Sequence, residues 1–256
     1  MSRELAGAPD PIAAHEAFAR RWRALEPALL WARSFGTLAD EAPLLLAAEL
    51  SEALYALSER HIAEAKLGWW VEECERASTG AGAHPLLPGL RMAQALPDPA
   101  RLEAMLAEAL DAAPAVSFDA QWQQALAFGR ALHREPAMAE LLALWNLWLR
   151  LRLIHRAADY AAPALPLMRL AEVQLKPNAL REDSPARQRA VALQAEALAA
   201  QAAVLTGLRA TGAALAAQIA NDARWLAQAP SRPDQLPIRP LRRLWTAWRG
   251  ARRGGR

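Results

Sequence analysis

Carboxylates are the first side chains to weigh, because two of them four residues apart on one helix face can gather a hard divalent cation through oxygen ligands. None of the 27 Asp and Glu residues has an acidic neighbour at that spacing. On the helix read over Leu44–Ser58, Glu49 and Glu52 stand three apart and read as a solvated acidic face. The five histidines, His15, His61, His84, His133 and His155, form no HExxH and no paired ligand spacing, so no metal site is expected. Cys74 stands among Glu72, Glu73 and Glu75, and neighbouring acids raise a thiol's pKa, the wrong direction for a nucleophile. Gly80-Ala-Gly82 reads as a helix C-cap and turn rather than a phosphate loop. His84 reads as a hydrogen-bonding loop residue. Arg150, Arg152 and Arg156 recur beside Trp145 and Trp148, either as an anion site or as a solvated, salt-bridged face.

The elements that must position these groups are helical. Apolar residues recur at three- and four-residue spacing over Ile12–Ala32, Ala42–Ser58, Ile62–Ala77, Arg101–Ala112, Phe118–His133, Met138–His155 and Ala186–Leu226. Alternating β-branched runs are almost absent. Asp98 before Pro99 and Ser184 before Pro185 read as N-caps with Pro in the first turn. With 256 residues, 54% of them hydrophobic, the chain has enough apolar side chain to exclude disorder. The expectation is a single-domain all-α bundle of about eight to ten helices over 1–229, then a Pro/Arg-rich tail over 230–256. One cysteine suits a reducing compartment, and Met1–Asp10 lacks the basic start and apolar core of a secretory peptide. A cytoplasmic protein is expected, peripheral at the inner face of a membrane if it meets one.

Two segments carry a family resemblance. Glu64-Ala-Lys66-Leu-Gly-Trp69-Trp70-Val-Glu-Glu-Cys74 is followed by a Gly-containing loop and His84-Pro85. Asn146-Leu-Trp-Leu-Arg-Leu-Arg152-Leu-Ile-His is followed by Asp159-Tyr160 and a Leu165-Pro166. In this order they resemble the two signature helices of the squalene/phytoene synthase family over about residues 40 to 250, which implies the isoprenoid synthase fold. The family's enzymes condense prenyl diphosphates held through Mg²⁺ on two aspartate-rich motifs. Here Leu153 and Ala157 stand where the second motif has its aspartates, and Arg152 is kept. Asn146 stands where a Gln is usual, and Asp159 remains alone. Without two carboxylate clusters the departing diphosphate lacks its electrostatic stabilisation. The resemblance therefore implies a catalytically degenerate member without a cofactor. Asn146, Arg152 and Asp159 are its candidate ligand contacts, and Lys66, Trp69, Trp70, His84 and Pro85 are structural motif positions. Family branches without enzymatic activity include mitochondrial complex I assembly factors.

The tail has its own pattern. Seven Arg and no acid fall in Arg239–Arg256, which leaves the body before it net negative. Leu241, Leu244, Trp245 and Trp248 recur at i, i+3, i+4 and i+7, with Arg242 and Arg243 off that stripe. Such a helix suits an anionic membrane interface, or docks its Trp stripe on the protein's own core. No folded nucleic-acid-binding motif accompanies it, so no nucleic acid partner is expected.

The leading expectation is thus an inactive squalene/phytoene synthase-like protein with an isoprenoid- or lipid-binding accessory role at a membrane. An active head-to-head prenyltransferase using Mg²⁺ on Glu49, Glu52 and Asp159 is the second reading. A non-catalytic helical interaction or assembly factor is the third.

Overall fold

The computed structural model describes residues 11–25, 38–205, 208–228 and 240–254. The Met1–Asp10 segment, the end of the helix expected over Ile12–Ala32, and the 229/230 boundary lie outside the described residues.

Helix formation follows the Ala- and Leu-rich sequence. Eleven α-helices and no strand occur among the described residues. They are α1 Pro11–Leu25, α2 Leu38–Ala56, α3 Arg60–Ser78, α4 Leu87–Met92, α5 Pro99–Leu110 and α6 Phe118–Leu132. After these come α7 Pro136–Arg152, α8 Leu167–Glu172, α9 Pro185–Val204, α10 Ala210–Gln228 and α11 Pro240–Gly254. The all-α expectation holds: ten of the described helices lie before residue 230, the upper figure expected there, and the eleventh is in the tail. The long helix expected over Ala186–Leu226 is two helices, ending at Val204 and resuming at Ala210, with Thr206-Gly207 between them in the sequence. The expected caps form: Asp98 accepts the N–H of Arg101 (2.9 Å), and Ser184 accepts that of Arg187 (3.2 Å).

The bundle is organised around α7. Every residue from Leu141 to Arg152 is buried, so this helix is covered on all sides. Its neighbours are α2, α6, α9 and α10. Trp145 and Trp148 are fully buried, and Trp145 donates its indole N–H to the Leu44 carbonyl of α2 (3.0 Å). The two helices are therefore fixed by a directional bond as well as by packing.

The α6–α7 contact is backbone to backbone at Gly129. A β-carbon there would stand 2.0 Å from the Ala139 carbonyl oxygen and 2.9 Å from its carbon. Backbone cannot yield as a side-chain tip can, so Gly129→Ala must push the helices apart. The expected loss is about 2–3 kcal/mol, read as a lower urea midpoint at unchanged slope. Gly68, mid-helix in α3, has nothing within 4 Å of such a carbon. Gly68→Ala is the matched control and should gain about 0.5–1 kcal/mol from helix propensity.

Candidate functional site

The first motif region is built on α3. Its buried stripe is Ala63, Leu67, Trp70, Glu73, Cys74 and Ala77, an apolar face interrupted by one carboxylate. Glu73 is 2% exposed and accepts the backbone N–H groups of Ala83 and His84, both at 2.6 Å. Arg76 donates to its other oxygen, with Nε at 3.0 Å and Nη2 as a second donor. Gly80 takes φ +89°, a left-handed turn that ends α3 and lets the chain double back to make these bonds. Burial pushes the Glu73 carboxyl up. Arg76 and the two backbone donors outweigh it and hold the group below its ordinary value. Sequence reading gave Glu73 no role, although an acid on an apolar stripe is a visible signal that it needs a partner.

This staple delivers His84 into an aromatic cluster. Its ring lies 4.5 Å from Trp70, 5.7 Å from Trp69 and 4.8 Å from Phe18, edge to face in each case. Its Nδ1 accepts the Leu86 N–H (3.2 Å), as expected of a loop hydrogen-bonder. Burial drives its pKa down to about 4, against the opposing pull of Glu49 and Glu73, so the ring is neutral at pH 7. Pro85 accepts through its carbonyl from His15 (3.3 Å), and His15 also meets Glu41 (3.4 Å). Trp70 is the buried anchor, whereas Trp69 is 41% exposed. For Cys74, burial and then Glu73 push the thiol up to about 12. The expected direction holds, with burial the larger cause.

Glu49 and Glu52 are not a solvated face. They are 4% and 8% exposed, because α2 is surrounded by apolar neighbours from Leu44 to Leu54 and has no wet side there. Lys66 of α3 reaches both, at 2.8 Å to Glu49 and 3.8 Å to Glu52, and Arg156 approaches Glu52 at 4.0 Å. Lys66 is thus a counter-ion shared by two carboxylates in the core. Asn146 donates to the Ser51 hydroxyl (2.8 Å), again joining α7 to α2.

The second motif region closes over the same helix. Leu153 ends α7, and a 3₁₀ turn over Ile154–Arg156 follows. The Ala158 N–H then bonds the Tyr55 carbonyl (2.9 Å), and the Tyr160 hydroxyl bonds the Ala53 carbonyl (3.2 Å). Tyr160 is a loop anchor, as its sequence position suggests. Asp159 is a surface residue whose carboxylate pairs with Arg181 (2.7 Å). Arg150 and Arg152 are buried, not a solvated face. Arg150 lies over the Tyr55 ring (4.4 Å) and donates to the Pro163 carbonyl (2.8 Å). A cleft of about 180 Å³ borders Arg150 and Tyr55, below the roughly 300–1,000 Å³ common for small-molecule sites. No group of three or more His, Cys, Asp or Glu side chains among the described residues is arranged to hold a metal ion.

The tail helix α11 docks by a different face from the one its Trp pattern suggests. Ala247 and Ala251 are buried, and Gly250 lies so close to α10 that a β-carbon would meet the Ala213 carbonyl at 2.6 Å. Arg243, a candidate membrane contact by its sequence position, pairs with the buried Asp222 of α10 (2.8 Å), which Gln218 also contacts (2.7 Å). Leu241 and Trp245 are left outward at 81% and 57% exposure, while Leu244 and Trp248 are half-buried. Trp245 stacks on Trp248 (4.7 Å), and Arg252 lies over Trp248 (4.9 Å). Arg242, Arg249, Arg252 and Arg253 are exposed. No helix among the described residues is long and apolar enough to cross a membrane.

Fold and site define a helical bundle in which Glu49, Glu52, Glu73 and Asn146 are tied into the core by ion pairs and hydrogen bonds, while Asp159 pairs at the surface. The chain matches no family model, no curated protein and no solved structure.

Proposed function

We propose that this chain is a non-catalytic protein of the squalene/phytoene synthase type that works at an anionic membrane surface through α11. The observation that carries the reading is the division of α11 into two faces. A small-residue face and Arg243 hold it to α10, while Leu241 and Trp245 project outward beside Arg242, Arg249, Arg252 and Arg253. Apolar and aromatic side chains rimmed by Arg suit the boundary between headgroups and acyl chains. Support for the non-catalytic part comes from the motif carboxylates, since Lys66 holds Glu49 and Glu52, and Arg181 holds Asp159.

Vesicle sedimentation tests it. Wild type is expected to bind phosphatidylcholine vesicles containing phosphatidylglycerol and to release them as salt rises. Leu241→Ser/Trp245→Ser removes apolar burial of roughly 2 kcal/mol, which corresponds to about thirtyfold weaker partitioning. Leu241 and Trp245 are both exposed, so the cost to folding should stay near the roughly 1 kcal/mol of the lost Trp245–Trp248 stack. Equal partitioning of variant and wild type would overturn the membrane face. Turnover of farnesyl diphosphate with Mg²⁺, lost in Asp159→Ala, would overturn the non-catalytic assignment.

A further inference from the structure

A second basic feature lies away from α11. The end of α4, the start of α5 and the end of α6 enclose a concavity of about 480 Å³. Arg91, Arg101, Arg130 and Arg134 line it, one from each of these helices and one from the chain just after α6. Among the described residues, none of the four guanidiniums is ion-paired to a carboxylate. The acid in the lining, Asp98, caps α5 by accepting the Arg101 backbone N–H. Four like charges around one hollow repel each other and concentrate a positive field there, a cost that a bound anion relieves.

Several of these groups are already oriented. Arg91 donates Nη2 to the Ala77 carbonyl (2.6 Å), which fixes the guanidinium and leaves its other donors available. Gln94 takes φ +52°, a left-handed conformation that glycine would adopt with less strain. Bonds from Gln94 N–H to Arg91 (3.0 Å) and from Ala95 N–H to Leu90 (2.9 Å) lock this turn. A carboxamide is thereby kept at the rim where Gly would be the unstrained choice. His133 accepts the Glu135 N–H at Nδ1 (3.1 Å), so a neutral ring carries its proton on Nε2 as a donor.

We propose that this concavity binds a soluble anion carrying at least two phosphate groups, gripped by Arg91, Arg101, Arg130 and Arg134 with His133 as a neutral donor. Guanidinium forks match phosphate oxygens in pairs, and one phosphate is satisfied by one or two forks, so four call for a second charged group.

Calorimetric titration of the full chain with inorganic pyrophosphate tests this, with orthophosphate as the single-phosphate comparison. Pyrophosphate is expected to saturate one site and to bind at least about tenfold tighter than orthophosphate. Arg101→Gln/Arg130→Gln, both exposed positions, should weaken it by at least about tenfold more, with the thermal midpoint unchanged. Arg189→Gln removes an exposed charge outside the hollow and should leave binding intact. No saturation, or equal weakening by Arg189→Gln, would overturn the site in favour of diffuse attraction. Vesicles bearing phosphatidic acid form a second arm. Binding of those vesicles through Arg101 and Arg130 without pyrophosphate binding would identify a lipid headgroup and overturn the soluble ligand.

Discussion

Lys66→Met is expected to lower the unfolding free energy by about 2–4 kcal/mol, because it removes the ammonium that lies 2.8 Å from the core carboxylate of Glu49 and 3.8 Å from that of Glu52. Glu49 is 6% exposed at its side chain and lies 2.8 Å from the ammonium; Lys66 itself is 29% exposed, which keeps the loss below that of a fully buried pair. The more telling variant is Lys66→Met/Glu49→Leu/Glu52→Met. If the three charges only hold α2 against α3, apolar side chains of similar volume should restore stability to within about 1 kcal/mol of wild type. Urea denaturation of the single and triple variants measures both. The opposite pattern is a triple variant no better than the single one, with Mg²⁺ stabilising wild type by mass action. That result would make Glu49 and Glu52 a cation site that Lys66 occupies, and would reopen diphosphate chemistry.

The same residues show what the sequence could and could not reveal. Caps at Asp98 and Ser184 were legible because they depend on neighbours within three residues. The helical class was legible because periodicity and composition agree over most of the chain. Spacing alone makes Glu49 and Glu52 look like a solvated face, whereas both are buried. The surrounding run, Leu44-Leu-Leu-Ala-Ala-Glu-Leu-Ser-Glu-Ala-Leu54, has no polar face for them to share, and that was the available sign of burial. Their partner, Lys66, comes from the next helix and cannot be assigned by periodicity. In α11 the Trp and Leu stripe hid a second stripe, Ala247, Gly250, Ala251 and Gly254, which permits closer approach and wins the contact with α10. The arginines around the hollow come from three helices and the following turn. Only the tertiary fold brings them together.

Glu73→Ala should be as damaging as Lys66→Met, through local unfolding of the loop that the carboxylate staples. The substitution strips the acceptor from the Ala83 and His84 N–H groups, and unsatisfied donors in partly buried positions cost about 1–3 kcal/mol each. Arg76, half exposed, can turn to water, so its share of the loss is smaller. The expected total is about 3–4 kcal/mol. His84 would then leave the cluster of Trp69, Trp70 and Phe18, seen as changed Trp fluorescence before global unfolding. Acid should act on the same staple. His84 has a folded pKa of about 4, below its unfolded value of roughly 6.5, so the unfolded chain binds the extra proton and stability falls as pH drops between them. Glu73 is also held below its ordinary value, so its contribution is present above the unfolded pKa and is lost as pH falls through the folded one. Urea midpoints from pH 7 down to pH 4 should therefore decline in wild type and decline less in His84→Phe, which cannot take up that proton. A flat wild-type profile, or a Glu73→Ala midpoint close to wild type, would show that packing of α3 rather than this carboxylate holds the loop in place.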